Sequence, residues 1–262
     1  MTGKPGSLWI GPTPATVTCY VSMRFFFLAA APDSTAGPWN PGLELGRHLR
    51  ALRFQPGEEL LLLPPSGDAI LAVFQSHKEL DLQGTQARPV LPLLDLTLAS
   101  AWPKGARGDE LVRRATESGV TSLSPVSCER SVVGRGDFSP SRLQRWNKIA
   151  VEVCQQSRRP EPPKIGTIPV PLAEIRSLAP DAHPIALVPG TWPLSMELDL
   201  HQPTSVLIAI GPEGGFSPTE ESMLRDLGFS FCGLVPTILR IEAAGPLAAG
   251  ICQHHFLARQ GQ

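Results

Sequence analysis

Apolar positions in the first third of the chain fall in short runs that are broken by turn residues. The runs Glu59–Leu63 and Ala69–Phe74 flank the segment Pro-Pro-Ser-Gly-Asp, a pattern that predicts a β-hairpin. The run Met23–Ala31 is apolar but short, and we interpret it as a buried first strand rather than a signal peptide. Helical spacing over Glu44–Leu52 adds one helix. Residues 23–95 are therefore predicted to form a small β-rich domain.

From about residue 93 the pattern changes to alternating strands and helices. Amphipathic spacing predicts helices over 109–118 and 140–158, with Gly119 ending the first helix and Ser139 and Pro140 beginning the second. Strands are predicted at 93–101 and 120–125, and short continuous apolar runs follow at 185–188, 206–210 and 231–235. Runs of that kind are typical of strands that are buried on both faces. The order predicts an α/β domain with a parallel sheet over residues 96–262.

Charge is unevenly distributed along the chain, although the net charge is only −1. Residues 96–165 carry 12 basic and 7 acidic groups, whereas residues 166–262 carry 4 and 9. A local basic face can bind phosphates on a protein whose net charge is near zero. A solvated basic helix surface explains the charge equally well at this point.

The cysteines and the apolar runs indicate the compartment. The chain has five cysteines, an odd number, and they are scattered without metal-ligand spacing, so we expect free thiols, no disulfide framework and no bound metal. No apolar run reaches the length of a membrane-spanning helix. We therefore expect a cytoplasmic protein without a membrane partner. Residues 1–22 are predicted to be a disordered extension, with Met23 as the native start.

A glycine-rich turn follows the apolar run Val206–Ile210. It reads Gly-Pro-Glu-Gly-Gly from Gly211 to Gly215, and Ser217 with Glu220 forms the pattern of a helix capping box directly after it. Ligands of open α/β sheets bind just beyond the carboxyl ends of strands, where bare glycine backbone leaves room for them. A tight structural turn remains the alternative. The spacing matches neither the dinucleotide nor the P-loop motif.

A second restricted loop follows the next apolar run and spans Leu234–Ala244. It offers a cation at Arg240 and an anion at Glu242. Two such loops at neighbouring strand ends would define one pocket. Arg240 and Glu242 could instead pair with each other or cap the last helix.

The two loops together carry a resemblance to a known family. The motifs I-G-P-E-G-G-F-S-x-x-E and I-L-R-x-E-x-A resemble the RsmE family of 16S ribosomal RNA uridine-N3 methyltransferases, in the SPOUT superfamily. Further similar segments occur in the family's order: Trp102–Lys104, Arg114–Val120, Glu129–Ser131, Arg145–Arg158 and, in the first domain, His48–Glu58. The resemblance spans Met23 to about Ala258.

The resemblance implies a PUA-like β-barrel domain followed by a trefoil-knotted α/β domain that binds S-adenosylmethionine. It implies methylation of uridine N3 in 16S rRNA of the small ribosomal subunit by a cytoplasmic homodimer. The residues that correspond to the cofactor site are Val188, Ile210, Gly211, Pro212, Gly214, Gly215, Leu234, Val235, Ile238 and Leu239.

Catalytic and RNA-binding roles follow from the same positions. Arg240 is expected to stabilise negative charge on the uracil oxygens, and Glu213 or Glu242 to receive the N3 proton. The candidates for RNA contacts are Lys104, Arg130, Arg145, Arg158, Arg24, His48 and Arg53, with surface salt bridges as the alternative for the cations.

The second loop departs from the family pattern at three positions. Val235, Thr237 and Ala243 stand where the family usually has Gly, Arg and Thr. These departures predict altered cofactor affinity rather than a different fold. They also keep two other functions open: an RNA-binding protein that has lost catalysis, and a methyltransferase for another RNA position such as a ribose 2′-hydroxyl of tRNA.

Overall fold

The computed structural model describes residues 23–260 except Pro92 and Val133. The predicted extension over residues 1–22 lies outside the described residues. The chain divides into two compact units, and the boundary falls after Leu91. No helix of the described residues is long and apolar enough to cross a membrane.

The smaller unit is built around a five-stranded mixed sheet in the order β1-β3-β4-β5-β2. The predicted hairpin is confirmed, because β3 pairs antiparallel with β4, while β1 pairs parallel with β3. Alternate residues of β3 pack into separate apolar clusters, Leu60 and Leu62 in one and Leu61 and Leu63 in the other. The elements are β1 Arg24–Phe27, β2 Ala36–Trp39, α1 Gly42–Ala51, β3 Glu59–Leu63, β4 Ala69–Ser76 and β5 Glu79–Gln86.

The larger unit is an α/β fold, as predicted. Its strands follow the order β12-β10-β11-β6-β7-β8, with β9 beside β7, and every pairing among them is parallel. The strands are β6 Asp95–Ser100, β7 Ser122–Ser127, β8 Lys164–Ile165, β9 Val170–Pro171, β10 His183–Pro193, β11 Ser205–Ile210 and β12 Ser230–Gly233. The helices are α2 Ala106–Glu117, α3 Pro140–Ser157, α4 Leu194–His201, α5 Pro218–Asp226 and α6 Ile241–Gln260.

Burial of the central strand β11 explains why its sequence is continuously apolar. Val206–Ile210 is buried throughout, because β10 and β6 flank the strand and helices cover the sheet. The caps predicted for α3 are confirmed, with Ser139 accepting from Arg142 N and Pro140 in the first turn. The strand predicted over 93–101 spans Asp95–Ser100, and the helix predicted over 109–118 spans Ala106–Glu117. The helix α4 was not predicted.

The last helix contains a proline. It begins at Ile241, and Pro246 lies inside it, beyond the first turn in which a proline is readily tolerated. The neighbouring Gly245 has a packing reason, because a Cβ there would lie 2.7 Å from Ile210 Cδ1 and 2.8 Å from Leu98 Cδ2. Glycine lets the first turns of α6 approach the sheet.

Replacing Arg158 with glycine should stabilise the protein. Arg158 ends α3 in the left-handed conformation, with φ 57° and ψ 35°. That conformation costs a residue with a Cβ about 1 kcal/mol relative to glycine. Urea unfolding should show Arg158→Gly to be more stable by about that amount. Arg158→Ala keeps the backbone cost, so an equal gain in that variant would contradict this explanation.

The cysteine thiols of the native protein should react slowly with a thiol reagent. Cys128, Cys154, Cys232 and Cys252 are free and buried. Burial, the largest cause, raises the pKa of each to about 12, and only the thiolate is nucleophilic. In a Cys19→Ser background, reaction at pH 8 should be at least roughly 100-fold slower than in urea. Rapid modification of one equivalent before unfolding would show that a thiol is accessible.

Candidate active site

The glycine-rich loop runs from the end of β11 to the start of α5. Its predicted capping box is confirmed: Ser217 Oγ accepts from Glu220 N at 3.2 Å, and Glu220 Oε2 accepts from Ser217 N at 2.8 Å. Glu220 Oε1 also accepts from Glu129 N at 2.7 Å. One buried carboxylate therefore holds this loop to the segment after β7.

Two glycines of this loop meet specific backbone requirements. Gly215 adopts φ +70°, and its N–H donates to the carbonyl of Pro212 at 2.8 Å. A Cβ on Gly211 would lie 3.2 Å from Phe216 N and 3.3 Å from Gly215 C. The turn is thus tight, and its backbone borders a cavity.

The second loop links β12 to α6. The Arg240 carbonyl accepts from Ala243 N at 2.9 Å and from Ala244 N at 2.8 Å, and so begins the helix. Val235 is not among the described non-glycine residues with positive φ. A β-branched residue therefore fits this backbone without left-handed strain, and the fold of the loop does not require glycine there.

The two loops enclose a cavity of about 410 Å³. This volume is within the range of small-molecule sites. Apolar side chains from Leu187, Ile210, Leu234 and Ile238 form its walls, and Glu213 and Glu221 add carboxylates. All ten residues expected to bind the cofactor line it: Val188, Ile210, Gly211, Pro212, Gly214, Gly215, Leu234, Val235, Ile238 and Leu239. Lining residues that sequence reasoning missed include Leu187, Pro189, Phe216, Gly233 and Ile241.

A second, more open cavity of about 510 Å³ adjoins the first. The two share Ile238, Leu239 and Arg240 as lining residues. Its other charged lining residues are Arg107, Glu110, Arg114 and Glu242. Sequence reasoning missed the first three, although the basic charge of the middle segment and their recurrence along one face of α2 were the available signals.

The two candidate proton acceptors differ in environment. Glu213 is 40% exposed, and its Oε1 lies 2.9 Å from Arg107 Nη1. Glu242 is only 7% exposed, and its Oε2 has no hydrogen-bond partner among the described residues. A buried carboxylate oxygen without a donor is costly, so this oxygen has an unmet capacity to accept a hydrogen bond or a proton.

Arg240 is exposed where the two cavities meet. Within the described part of the chain it forms no ion pair with Glu242 or any other carboxylate. Its carbonyl, rather than its side chain, begins the last helix. The guanidinium is therefore available to a ligand.

The four cations expected to contact RNA from the larger unit have different surroundings. Arg130 Nη1 donates to the carbonyl of Gly214 at 2.6 Å, which places it against the glycine-rich loop. Arg145 forms an ion pair with Asp109, as the salt-bridge alternative expected. Lys104 and Arg158 are exposed.

The three RNA-contact candidates of the smaller unit lie on or next to a group of aromatic rings. Arg24 lies over the Phe54 ring, with its guanidinium carbon 5.2 Å from the ring centroid. His48 packs edge-on against Phe26 at 5.3 Å between centroids. Arg53 is exposed and adopts φ 56°. All three side chains reach the surface of this unit.

Comparison with known proteins places this architecture in a family. A family model described as an RNA methyltransferase domain matches residues 89–253. Ribosomal RNA small subunit methyltransferase E of Aquifex aeolicus is 30% identical over 205 residues, covering 76% of this chain and 86% of that protein. The protein of that name from Synechocystis sp. is 30% identical over 206 residues, covering 76% and 67%.

A solved structure agrees with these sequence relatives. The crystal structure of ribosomal RNA small subunit methyltransferase E from Neisseria gonorrhoeae bound to S-adenosyl methionine is similar, with a TM-score of 0.71 and 28% identity. The match covers 90% of this chain and 98% of that chain. The chain belongs to the ribosomal RNA small subunit methyltransferase E family, RsmE, of RNA methyltransferases.

Proposed function

We propose that this protein methylates N3 of a uridine in 16S rRNA of the small ribosomal subunit, using S-adenosylmethionine. The observation that carries the proposal is a cavity of cofactor size at the ends of parallel strands, joined at Arg240 to an open cavity that Glu242 also lines. The names of the relatives and the cofactor in the Neisseria structure support the same reaction.

The first cavity suits the chemistry of S-adenosylmethionine. Apolar walls from Ile210, Leu234 and Ile238 fit an adenine ring, and loop backbone offers hydrogen-bonding groups. Glu213 and Glu221 supply negative charge for a ligand that carries a sulfonium and an ammonium group. When bound, the cofactor supplies an electrophilic methyl group.

We infer that the acceptor uracil occupies the second cavity. Uridine N3 carries a proton and becomes nucleophilic only when that proton leaves. The free oxygen of Glu242 accepts the proton, while Arg240 stabilises the negative charge that spreads onto the uracil oxygens. Glu213 is the weaker candidate for the base, because Arg107 already neutralises it.

We assign RNA binding to the smaller unit and methyl transfer to the larger unit. The smaller unit forms a PUA-like barrel that binds RNA through Arg24, His48 and Arg53, and the larger unit forms the knotted methyltransferase domain. The strand order supports the knot, because β12 returns to the far side of β10 after β11. Lys104, Arg130, Arg145 and Arg158 are the proposed phosphate contacts of this domain.

We further propose that the enzyme acts as a cytoplasmic homodimer. Four apolar side chains are exposed on α4 and α6, which pack against each other: Met196, Leu200, Leu247 and Leu257. Light scattering after gel filtration should give twice the mass of one chain, and a monomer at micromolar concentration would contradict this part of the proposal.

Two measurements distinguish a methyltransferase from an RNA-binding protein and identify the class of RNA that is methylated. Calorimetry first measures S-adenosylmethionine binding to the native protein and to Gly211→Val, whose side chain would press on the loop backbone. Label transfer from the tritiated cofactor is then compared between unmodified small subunits, naked 16S rRNA and tRNA. The proposal is supported if the native protein binds the cofactor, Gly211→Val does not, and label appears in small subunits or in naked 16S rRNA. Label only in tRNA, or RNA binding without cofactor heat, would refute it.

A further inference from the structure

Three polar side chains converge at the edge of the sheet where β10 begins. His183 is the first residue of β10, and Glu197 and His201 lie one turn apart on α4. His183 Nε2 is 2.8 Å from Glu197 Oε1, and His201 Nε2 is 3.4 Å from the same oxygen. The three potential ligand atoms all lie within 4.8 Å of one another. Sequence spacing did not reveal this group, because β10 and α4 meet only in the folded chain.

The carboxylate at the centre of this group is buried without a permanent positive partner. Glu197 is 6% exposed. Among the described residues its only ion-pair partners are the two imidazoles, and no lysine or arginine pairs with it. Buried charges in proteins are usually paired or coordinate a metal. A cation between the three side chains would supply the missing charge.

Ser230, the first residue of β12, also lies beside Glu197. A neighbouring hydroxyl in this position is suited to the role of an outer-shell group that orients a metal ligand. The two imidazole rings lie face to face, with centroids 4.6 Å apart and planes tilted by 30°.

We propose that His183, Glu197 and His201 form a binding site for Zn²⁺. Two imidazole nitrogens and one carboxylate oxygen make a donor set that favours zinc over magnesium or calcium. Donor atoms around a tetrahedral zinc lie about 3.3 Å apart, and the two distances of 2.8 and 3.4 Å are close to that value. His201 is 44% exposed, so the fourth position faces solvent.

None of the three proposed ligands lines either cavity, although Glu197 lies near Cys232, which lines the first. His183 precedes Leu187, which lines the first cavity, by four strand residues, or roughly 13 Å. A bound ion would join the start of β10 to the end of α4. We therefore expect zinc to raise the melting temperature while leaving methyl transfer within about twofold, since a bound ligand stabilises only the state that binds it.

Metal titration of the tag-free, chelator-treated full-length protein tests the proposal. Calorimetry with ZnCl₂ should give one site per chain with a dissociation constant below about 10 µM. His201→Gln should weaken binding by at least roughly 100-fold, and Ser230→Ala by about 10-fold. His254→Gln is the matched control, because His254 is exposed on α6 outside the group, and should bind like the native protein.

Cobalt spectroscopy identifies the ligands. Co²⁺ should give visible ligand-field bands without the ultraviolet thiolate band that cysteine ligation produces, and His183→Gln should abolish them. The proposal would be overturned by unchanged zinc affinity in folded His201→Gln, by a thiolate band, or by no saturable binding to the native protein. Loss of methyl transfer in the native protein, with zinc bound as expected, would count against the proposed function alone.

Discussion

Arg240→Ala should lower the rate constant of methyl transfer by about 100- to 1,000-fold, which is the usual effect of removing a donor that stabilises developing negative charge. The guanidinium is unpaired among the described residues and lies where the two cavities meet. Single-turnover assays at saturating cofactor measure the step directly. Cofactor affinity should change less than about tenfold, since most of the first cavity is apolar wall and loop backbone.

The control for this prediction is Arg113→Ala. Arg113 lies on α2 near the second cavity but does not line it, and among the described residues its one ion-pair partner is Glu110, at 3.9 Å. We expect its loss to change the rate less than about threefold, as for a surface ion pair. An Arg240→Ala enzyme with native single-turnover rates would remove Arg240 from the mechanism.

Glu242→Gln should lower the rate constant by about 100- to 10,000-fold, the range that a general base contributes. Glutamine keeps the size of the side chain but cannot take the proton. The variant should fold at least as stably as the native protein, because the unpartnered oxygen no longer carries charge in a buried position. Rate measurements and urea unfolding on the same preparation separate these effects.

Glu213→Gln is the matched comparison for this second prediction. Glu213 is 40% exposed and is paired with Arg107. Its loss should reduce the rate less than about tenfold, since exposed ion pairs contribute little. If Glu213→Gln were the slower of the two variants, the assignment of the base would be reversed.

The glycine-rich loop was predictable because its determinants are local. An apolar strand, a glycine turn and the Ser217–Glu220 capping box lie within one short segment, and each acts on its immediate neighbours. The same locality explains why the hairpin of β3 and β4 was predicted. The bond from Glu129 N to Glu220 joins residues 91 positions apart, so no local pattern could indicate it.

The surroundings of individual side chains could not be predicted from the sequence. Sequence offered Glu213 and Glu242 as equal candidates, and only the fold shows that Arg107 neutralises one while the other keeps a free oxygen. Gly245 lies inside a helix, and only the fold shows that it allows the close approach to Ile210. Side-chain surroundings of this kind depend on packing between distant segments.

Methylation of uridine N3 is tested most directly by identifying the nucleoside that the enzyme modifies. Small ribosomal subunits from a strain lacking the modification are incubated with the protein and isotopically labelled S-adenosylmethionine, digested to nucleosides and analysed by mass spectrometry. We expect label in 3-methyluridine, which Glu242→Gln should abolish. Label in a ribose-methylated nucleoside or another base would contradict uridine N3 as the acceptor. No label from a folded, cofactor-binding protein would contradict methylation of this subunit.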